Sequence, residues 1–305
     1  MTAAKRLYTP FSSPYRMAMG VRPLAVEDWI EIDGDLNADL REKRRLLDER
    51  HGEVFAERPG SEPAQAELLQ LLAAHLVTHA SDRYRRDGSE LRVPELGERY
   101  DLSAPGMPAL DLAGRLVQED LCLMQRREGV WRLTAASVCF PTRWNLVSKM
   151  GLPLADIHDP VPGFRETLAE PVTRFFDLMR VEKPVYRLNW SLLDDPALFQ
   201  PSGHYRAAAR DDIDADTAGE KVWLRVERQT LRRLPQSDAI VFTIRIHRWP
   251  LSVLAGRPDA AAHLRGALET MPTDMRGYKS VAVLGAAVAG YLDGITAKPQ
   301  SDTVP

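Results

Sequence analysis

The sequence predicts an α+β fold (mixed α/β): an antiparallel sheet of about five strands flanked by helices and preceded by an N-terminal helical arm. Three observations carry that expectation. Residues 63–80 space their leucines on a helical period. Residues 119–140 and 221–249 alternate polar and apolar positions with period two, and 258–271 and 279–294 return to a helical pattern. The 305 residues, 44% hydrophobic and 27% charged, suffice to bury a real core. A single structural domain is expected overall, with the arm and its helices over 1–105, a core over 106–255, C-terminal helices over 256–294 and a flexible tail over 295–305.

Taken in order, residues 1–25 place Pro10, Pro14, Gly20 and Pro23 among Tyr8, Phe11 and Tyr15, the pattern of an extended arm packed by its aromatics. From Val26 to about Glu57, Leu36, Leu40, Leu46 and Leu47 recur at helical spacing with a charged outer face. Residues 63–80 form a better-defined helix on Leu68, Leu71, Leu72 and Leu76. A polar stretch rich in Arg and Glu follows, then a helix over 107–119. Strands are expected over 119–126 and 130–140, turning near Glu128-Gly129. Three more are expected at Val185 to Leu193, Lys221 to Leu231 and Ala239 to Trp249, the last two linked through Leu234 to Asp238.

Alternation puts Ile240, Phe242, Ile244 and Ile246 on one face of the final strand and Val241, Thr243, Arg245 and His247 on the other. In the preceding strand Trp223, Arg225, Glu227 and Gln229 oppose Val222, Leu224 and Val226. Each strand thus has an apolar and a polar face, as in a sheet covered by helices on one side and open on the other to something that wants polar contacts. An insert of about 45 residues between the second and third strands contains His158. The final residues, TAKPQSDTVP, read as a loose tail, and no internal repeat is evident.

Composition narrows the function. Forty basic and 43 acidic residues, net charge -3, are mixed along the chain, so neither nucleic acid nor a membrane surface is an expected partner. Small neutral or cationic partners fit better. Simple hairpin register pairs Cys122 with about position 135 rather than with Cys139, so no disulfide is expected. Two thiols also cannot hold an iron-sulfur cluster or a structural zinc. The start, MTAAKRLYTPFSSPYRM, lacks the apolar core of a secretory signal, and no run approaches the roughly 20 apolar residues that span a bilayer, so a cytoplasmic location is expected. No G-x-x-x-x-G-K-S/T, G-x-G-x-x-G, H-E-x-x-H or G-x-S-x-G phrase occurs, which places any flavin or nicotinamide on another chain.

Of the seven histidines, His51, His75, His79, His158, His204, His247 and His263, only His75 and His79 have an i,i+4 metal-like spacing. They lie on a leucine-rich helix with no acidic third ligand nearby, as surface or half-buried imidazoles do. His158 sits in LADIHDPVPGF, where Pro160 and Pro162 stiffen the chain. A stiff apolar loop can aim one imidazole at a haem iron, which needs a single strong axial nitrogen where zinc needs three or four ligands. Its other reading is a histidine that caps or packs the next helix. His247 is the competing ligand, or a solvated strand residue. Arg225, Glu227, Arg228, Arg232 and Arg233 crowd one strand, and arginine forks suit propionate carboxylates, though cross-strand ion pairing accounts for them too. Glu227 suits a cationic amine or a proton relay, or else pairing with Arg225 or Arg245. Trp131, Trp144, Trp190, Trp223 and Trp249 suit either a flat cofactor or the core.

Four phrases in the same order, PYRMAMGVRPL at 14–24, WRLTAASVCFPTRWNLVSKMGLPLADIHDPVPGF at 131–164, YRLNWSLL at 186–193 and RVERQTLRRLPQSDAIVFTIRIHRWPL at 225–251, resemble the haem-binding alpha subunit family of haem-dependent oxidative N-demethylases. The resemblance implies a PAS-like fold over the core, binding haem b, with electrons from a partner reductase subunit that carries flavin, an iron-sulfur centre and the NADPH site. It implies a monooxygenase reaction on an N-methyl group of a small secondary amine such as dimethylamine, using O2 and releasing formaldehyde. It gives the axial metal-ligand role to His158, which lies inside the matching I-H-x-P-V-P phrase. Arg143, Lys149, Arg225 and Arg228 fall within matching phrases and are candidates to hold the propionates. Glu227 is the candidate catalytic proton donor beside the distal oxygen, with Asn189 or Gln229 assisting by hydrogen bonds. The rival readings are a haem-based PAS oxygen sensor or haem carrier without catalysis, and a haem-free assembly protein. No output domain is expected after Pro305, and that expectation favours the enzyme reading.

Overall fold

A computed structural model describes residues 6–203 and 212–297. The N-terminal segment runs extended as far as strand β1 (Arg22–Pro23), a single 3-10 turn follows at Val26–Asp28, and α-helix comes only with α1 (Leu36–Glu49), α2 (His51–Val54), strand β2 (Phe55–Glu57) and α3 (Glu62–His79). The single helical pattern expected from Val26 to Glu57 is therefore broken at both ends. Trp29 and Ile30 are buried, and the backbone amides of Glu31 and Asp33 bond the side chains of Glu119 and Gln118. Tertiary bonding has overridden local propensity there.

The Arg/Glu-rich stretch forms a small sheet of β3 (Arg85–Asp87), β4 (Glu90–Val93) and β5 (Glu98–Asp101), which the sequence reading had not anticipated. Only Leu91 and Val93 of it are apolar and fully buried, too short an alternation to register as strand. Next come α4 (Ala109–Leu116), β6 (Asp120–Arg127), β7 (Val130–Ser137), α5 (Leu154–Ile157), α6 (Phe164–Thr167), α7 (Ala169–Leu178) and β8 (Val185–Leu193). The chain ends with α8 (Ala218–Lys221), β9 (Trp223–Arg233), β10 (Ile240–Pro250), α9 (Pro258–Thr270), α10 (Thr273–Tyr278) and α11 (Val281–Thr296). Ile295 and Thr296 of the expected tail close α11, Ala297 caps it, and residues 298–305, like His204, lie outside the described residues.

The main sheet is antiparallel, in the order β1-β8-β9-β10-β6-β7-β2. The fold is thus mixed helix and sheet, as expected. The β6–β7 turn falls where expected, with Glu128 and Gly129 both at positive φ (52° and 79°), the twist a tight hairpin requires. An irregularity between Leu123 and Met124 shifts the register, so Cys122 faces Ala136 rather than position 135, and both cysteines are free.

One expectation about the sheet is overturned. Across β9 and β10, Glu227 pairs with Ile246 and Arg228 with Arg245. Arg225, Glu227 and Gln229 therefore share a face with Ile244 and Ile246, while Arg245 and His247 lie on the opposite face with Val226 and Arg228. The polar sides of the two strands point apart, and both faces are covered. Trp29, α3 and α4 pack one apolar cluster around Val241 and Leu123, while Met150, Leu154, Phe176 and Met179 of the insert pack another around Met124, Leu231 and Ile240.

Candidate functional site

His158 ends α5, where Pro153 sets the start of the turn and the amide of Val161 closes onto the His158 carbonyl at 2.8 Å. Its Nδ1 lies 2.8 Å from the carbonyl oxygen of Leu154. A carbonyl only accepts, so Nδ1 carries the proton and Nε2 keeps the lone pair. Phe164 stacks on the ring at 4.4 Å and 13°. Burial pushes the imidazole pKa down, against the Leu154 bond that raises it, and the nearby Arg187 and Lys149 charges push it lower still. The ring is therefore held neutral, with Nε2 bonded to no described residue. That is the form in which histidine binds a metal.

Arg187 on β8 stands across from it, on the sheet face that carries Glu227. Its Nη1 donates to Gln229 Oε1 at 3.1 Å, and its buried Nε has no partner among the described residues. Burial lowers its pKa, opposed by Glu227. Lys149 donates from Nζ to the carbonyl of Ile157 at 2.7 Å, beside His158.

Glu227 is the hub of that face. Oε1 accepts from Thr142 Oγ1 at 2.5 Å, and Oε2 from Gln229 Nε2 at 2.7 Å and Asn189 Nδ2 at 3.4 Å. Neither Arg225 nor Arg245 bonds it directly. Arg225, 1% exposed, spends its guanidinium on the carbonyls of Phe140, Ala197 and Leu198 and on Thr142 Oγ1. Burial pulls its pKa down to about 10. Arg143 holds Asp194, Ser280 and Gln200. Arg228 lies on the opposite face, bonded to the carbonyls of Asp28 and Trp29 and paired with Glu31 at 3.2 Å. His158, Lys149 and Glu227 are thus brought to one side of the sheet, Arg143 and Arg225 brace it, and Arg228 stands behind it.

His247 is also behind the sheet. It is fully buried, 3.7 Å from Glu31, stacked on Trp249 at 5.6 Å and tilted against Tyr8 at 5.1 Å. Trp190 and Trp249 pack in the cluster of the C-terminal helices, while Trp131 donates to Asp177 Oδ1 at 2.8 Å. The His75 and His79 rings lie tilted by 39° with centres 4.6 Å apart, and among the described residues no group of three or more His, Cys, Asp or Glu is arranged to hold a metal ion.

A cavity of about 550 Å³, lined by Pro162, Thr273, Asp274, Gly277 and Ala282, opens between the loop that follows His158 and the α10–α11 corner. A second, of about 690 Å³, lies behind the sheet under the N-terminal arm, lined in part by Tyr8, Glu31, His75 and Arg228. Arg187, Thr142 and Lys279 are the residues of the site that sequence reasoning missed. Arg187 was within reach, because it lies in the phrase YRLNWSLL and alternates in phase with Asn189. Lys279 gave no signal, being a single lysine between two helices.

The donor set fits a haem, which needs one axial nitrogen and partners for its carboxylates. It offers one neutral imidazole with a free Nε2, the Phe164 ring stacked on it, and the Arg187 Nε, without a partner among the described residues, where a carboxylate could bind. Compared with known families, residues 20–289 match the model described as haem-dependent oxidative N-demethylase, alpha subunit-like.

Proposed function

Because the chain belongs to the haem-dependent oxidative N-demethylase, alpha subunit-like family, we propose that it is the haem b subunit of a monooxygenase that removes an N-methyl group from a small secondary amine such as dimethylamine. The observation that carries this reading is the neutral His158, whose Nδ1 is tied to Leu154 and whose Nε2 is left free for iron. The five long strands lie in the order β7-β6-β10-β9-β8, the second, first, fifth, fourth and third in sequence, which supports reading the core as PAS-like. The domain division at 105, 255 and 294 belongs to the same reading.

Haem held by His158 would supply the dioxygen-activating chemistry. The balanced reaction takes dimethylamine, O2, two electrons and two protons to methylamine, formaldehyde and water. The electrons come from a partner reductase subunit that holds the flavin, iron-sulfur centre and NADPH, consistent with an alpha subunit-like chain. Lys149 and Arg187 are the cations placed to receive propionates, since Arg143, Arg225 and Arg228 are already spent on protein partners. Glu227 is the proton relay of this reading, its carboxylate taking up and passing on a proton at Oε2, where the Asn189 bond is the longest of its three at 3.4 Å. Among the described residues no helix is long and apolar enough to cross a membrane, which supports a cytoplasmic assignment.

The test is an optical spectrum of the purified chain, as isolated and reduced, followed by formaldehyde assay with dimethylamine, O2 and the reductase. A Soret band with formaldehyde release is expected. A Soret band without formaldehyde makes the chain a sensor or carrier, and no Soret band overturns the haem assignment.

A further inference from the structure

We propose that Lys279 is a positioning residue for Glu227, holding that carboxylate through Asn189 while its own ammonium is protonated. The inference rests on the reading of Glu227 given above. Lys279 is 7% exposed and lies at the outer edge of β8, where β1 covers only Val185 and Tyr186. Its Nζ donates to the carbonyl of Trp190 at 2.6 Å and to Asn189 Oδ1 at 3.0 Å, and stands 5.2 Å from the Trp190 ring centre.

An ammonium only donates, so it must face the oxygen of the Asn189 amide. That turns the amide nitrogen toward Glu227 Oε2. A neutral amine can also accept, so on deprotonation nothing fixes the amide, and its oxygen becomes free to turn against the carboxylate.

The backbone holds this arrangement in place. Ser280 and Arg143 are both non-glycine residues in the left-handed region, at φ 61° and 59°, and Arg143 Nη1 donates to Ser280 Oγ at 2.7 Å. Each adjoins a residue that reaches Glu227. Thr142 bonds Oε1 directly, and Lys279 reaches Oε2 through Asn189. The clasp thus fixes both sides of the carboxylate from segments 137 residues apart in sequence. The charged groups facing Lys279 are Glu227 on β9 and Arg187 on β8, and Arg143, next along the clasp, is itself paired with Asp194. Burial pulls the Lys279 pKa down to about 8, opposed by Glu227 and assisted by Arg187, so the switch falls in an accessible pH range.

Seven lysines in the sequence make the test direct. The full chain labelled with [13Cε]lysine, reduced under carbon monoxide so that any haem iron is diamagnetic, is titrated by NMR. The Lys279 signal is assigned by its loss in Lys279→Arg or Lys279→Gln. The expected midpoint lies well below that of ordinary lysine, and Glu227→Gln should move it down by about half a unit or more because the favourable charge is gone. An ordinary midpoint, or one that Glu227→Gln leaves in place, overturns the proposal. With activity, kcat should fall above that midpoint, and Lys279→Arg, which stays protonated, should carry the fall to higher pH with KM unchanged. An alkaline limb that does not move in Lys279→Arg also overturns it. Absence of any demethylation defeats the parent reading instead, and the NMR coupling still decides this one.

Discussion

The imidazole of His158 and the carbonyl of Leu154 are joined at 2.8 Å through Nδ1, and this one bond decides which nitrogen of the ring faces outward. His158→Ala is therefore expected to abolish the Soret band of the purified chain. His247→Ala, behind the sheet and fully buried beside Glu31, should leave the spectrum unchanged while lowering stability by about 2 kcal/mol or more. Absorption spectra and melting curves of the two variants check both halves, and the reverse pattern reassigns the ligand.

Glu227→Gln keeps the size of the side chain and most of the bonds from Thr142, Gln229 and Asn189. Haem retention should survive, and formaldehyde formation should drop by about 100-fold, the usual worth of a positioned proton donor. A near wild-type rate would remove Glu227 from the chemistry.

Arg187 is half-buried, with an enclosed guanidinium Nε that no group among the described residues satisfies. Arg187→Met removes a charge that is costly to bury, so the empty chain should fold at least as well. Haem should leave it about tenfold faster, as the loss of one charge-assisted bond predicts. Transfer of haem to apomyoglobin measures this, and an unchanged rate would mean that Arg187 does not touch a propionate.

His75 has its pKa pulled down to about 4, first by burial and then by the charges of His79 and Arg232. Folding thus disfavours its protonated form. Its contribution is intact above the unfolded value near 6.5 and is lost as pH falls toward 4, a change of about 1–2 kcal/mol after allowance for solvent screening. Urea melts at pH 7 and pH 4.5 should show this loss, and His75→Gln should make the difference smaller.

Gly114 lets α4 lie against β7, since an added Cβ would stand 2.2 Å from Ser137 Oγ and 2.9 Å from its Cβ. Gly114→Ala is expected to destabilise by about 1–3 kcal/mol despite the better helix propensity of alanine. A melting temperature equal to wild type would show that the α4–β7 contact yields easily.

The helix on Leu68, Leu72 and Leu76, the five long strands, the Glu128-Gly129 turn and the proline-braced His158 loop were all legible in the sequence. Each is written in neighbouring residues, through period, turn chemistry or a stiff backbone. Alternation likewise sorted each strand's residues into two faces correctly. It could not say which face of β9 meets which face of β10, because that depends on register, and register puts Glu227 beside Ile246 and His247 beside Val226. Only the tertiary structure could therefore put His247 behind the sheet and Arg187 in front of it. Nor could local pattern extend Lys279 to Asn189, 90 residues away, or keep 26–35 out of an α-helix, since both outcomes are set by long-range bonds that no short window contains.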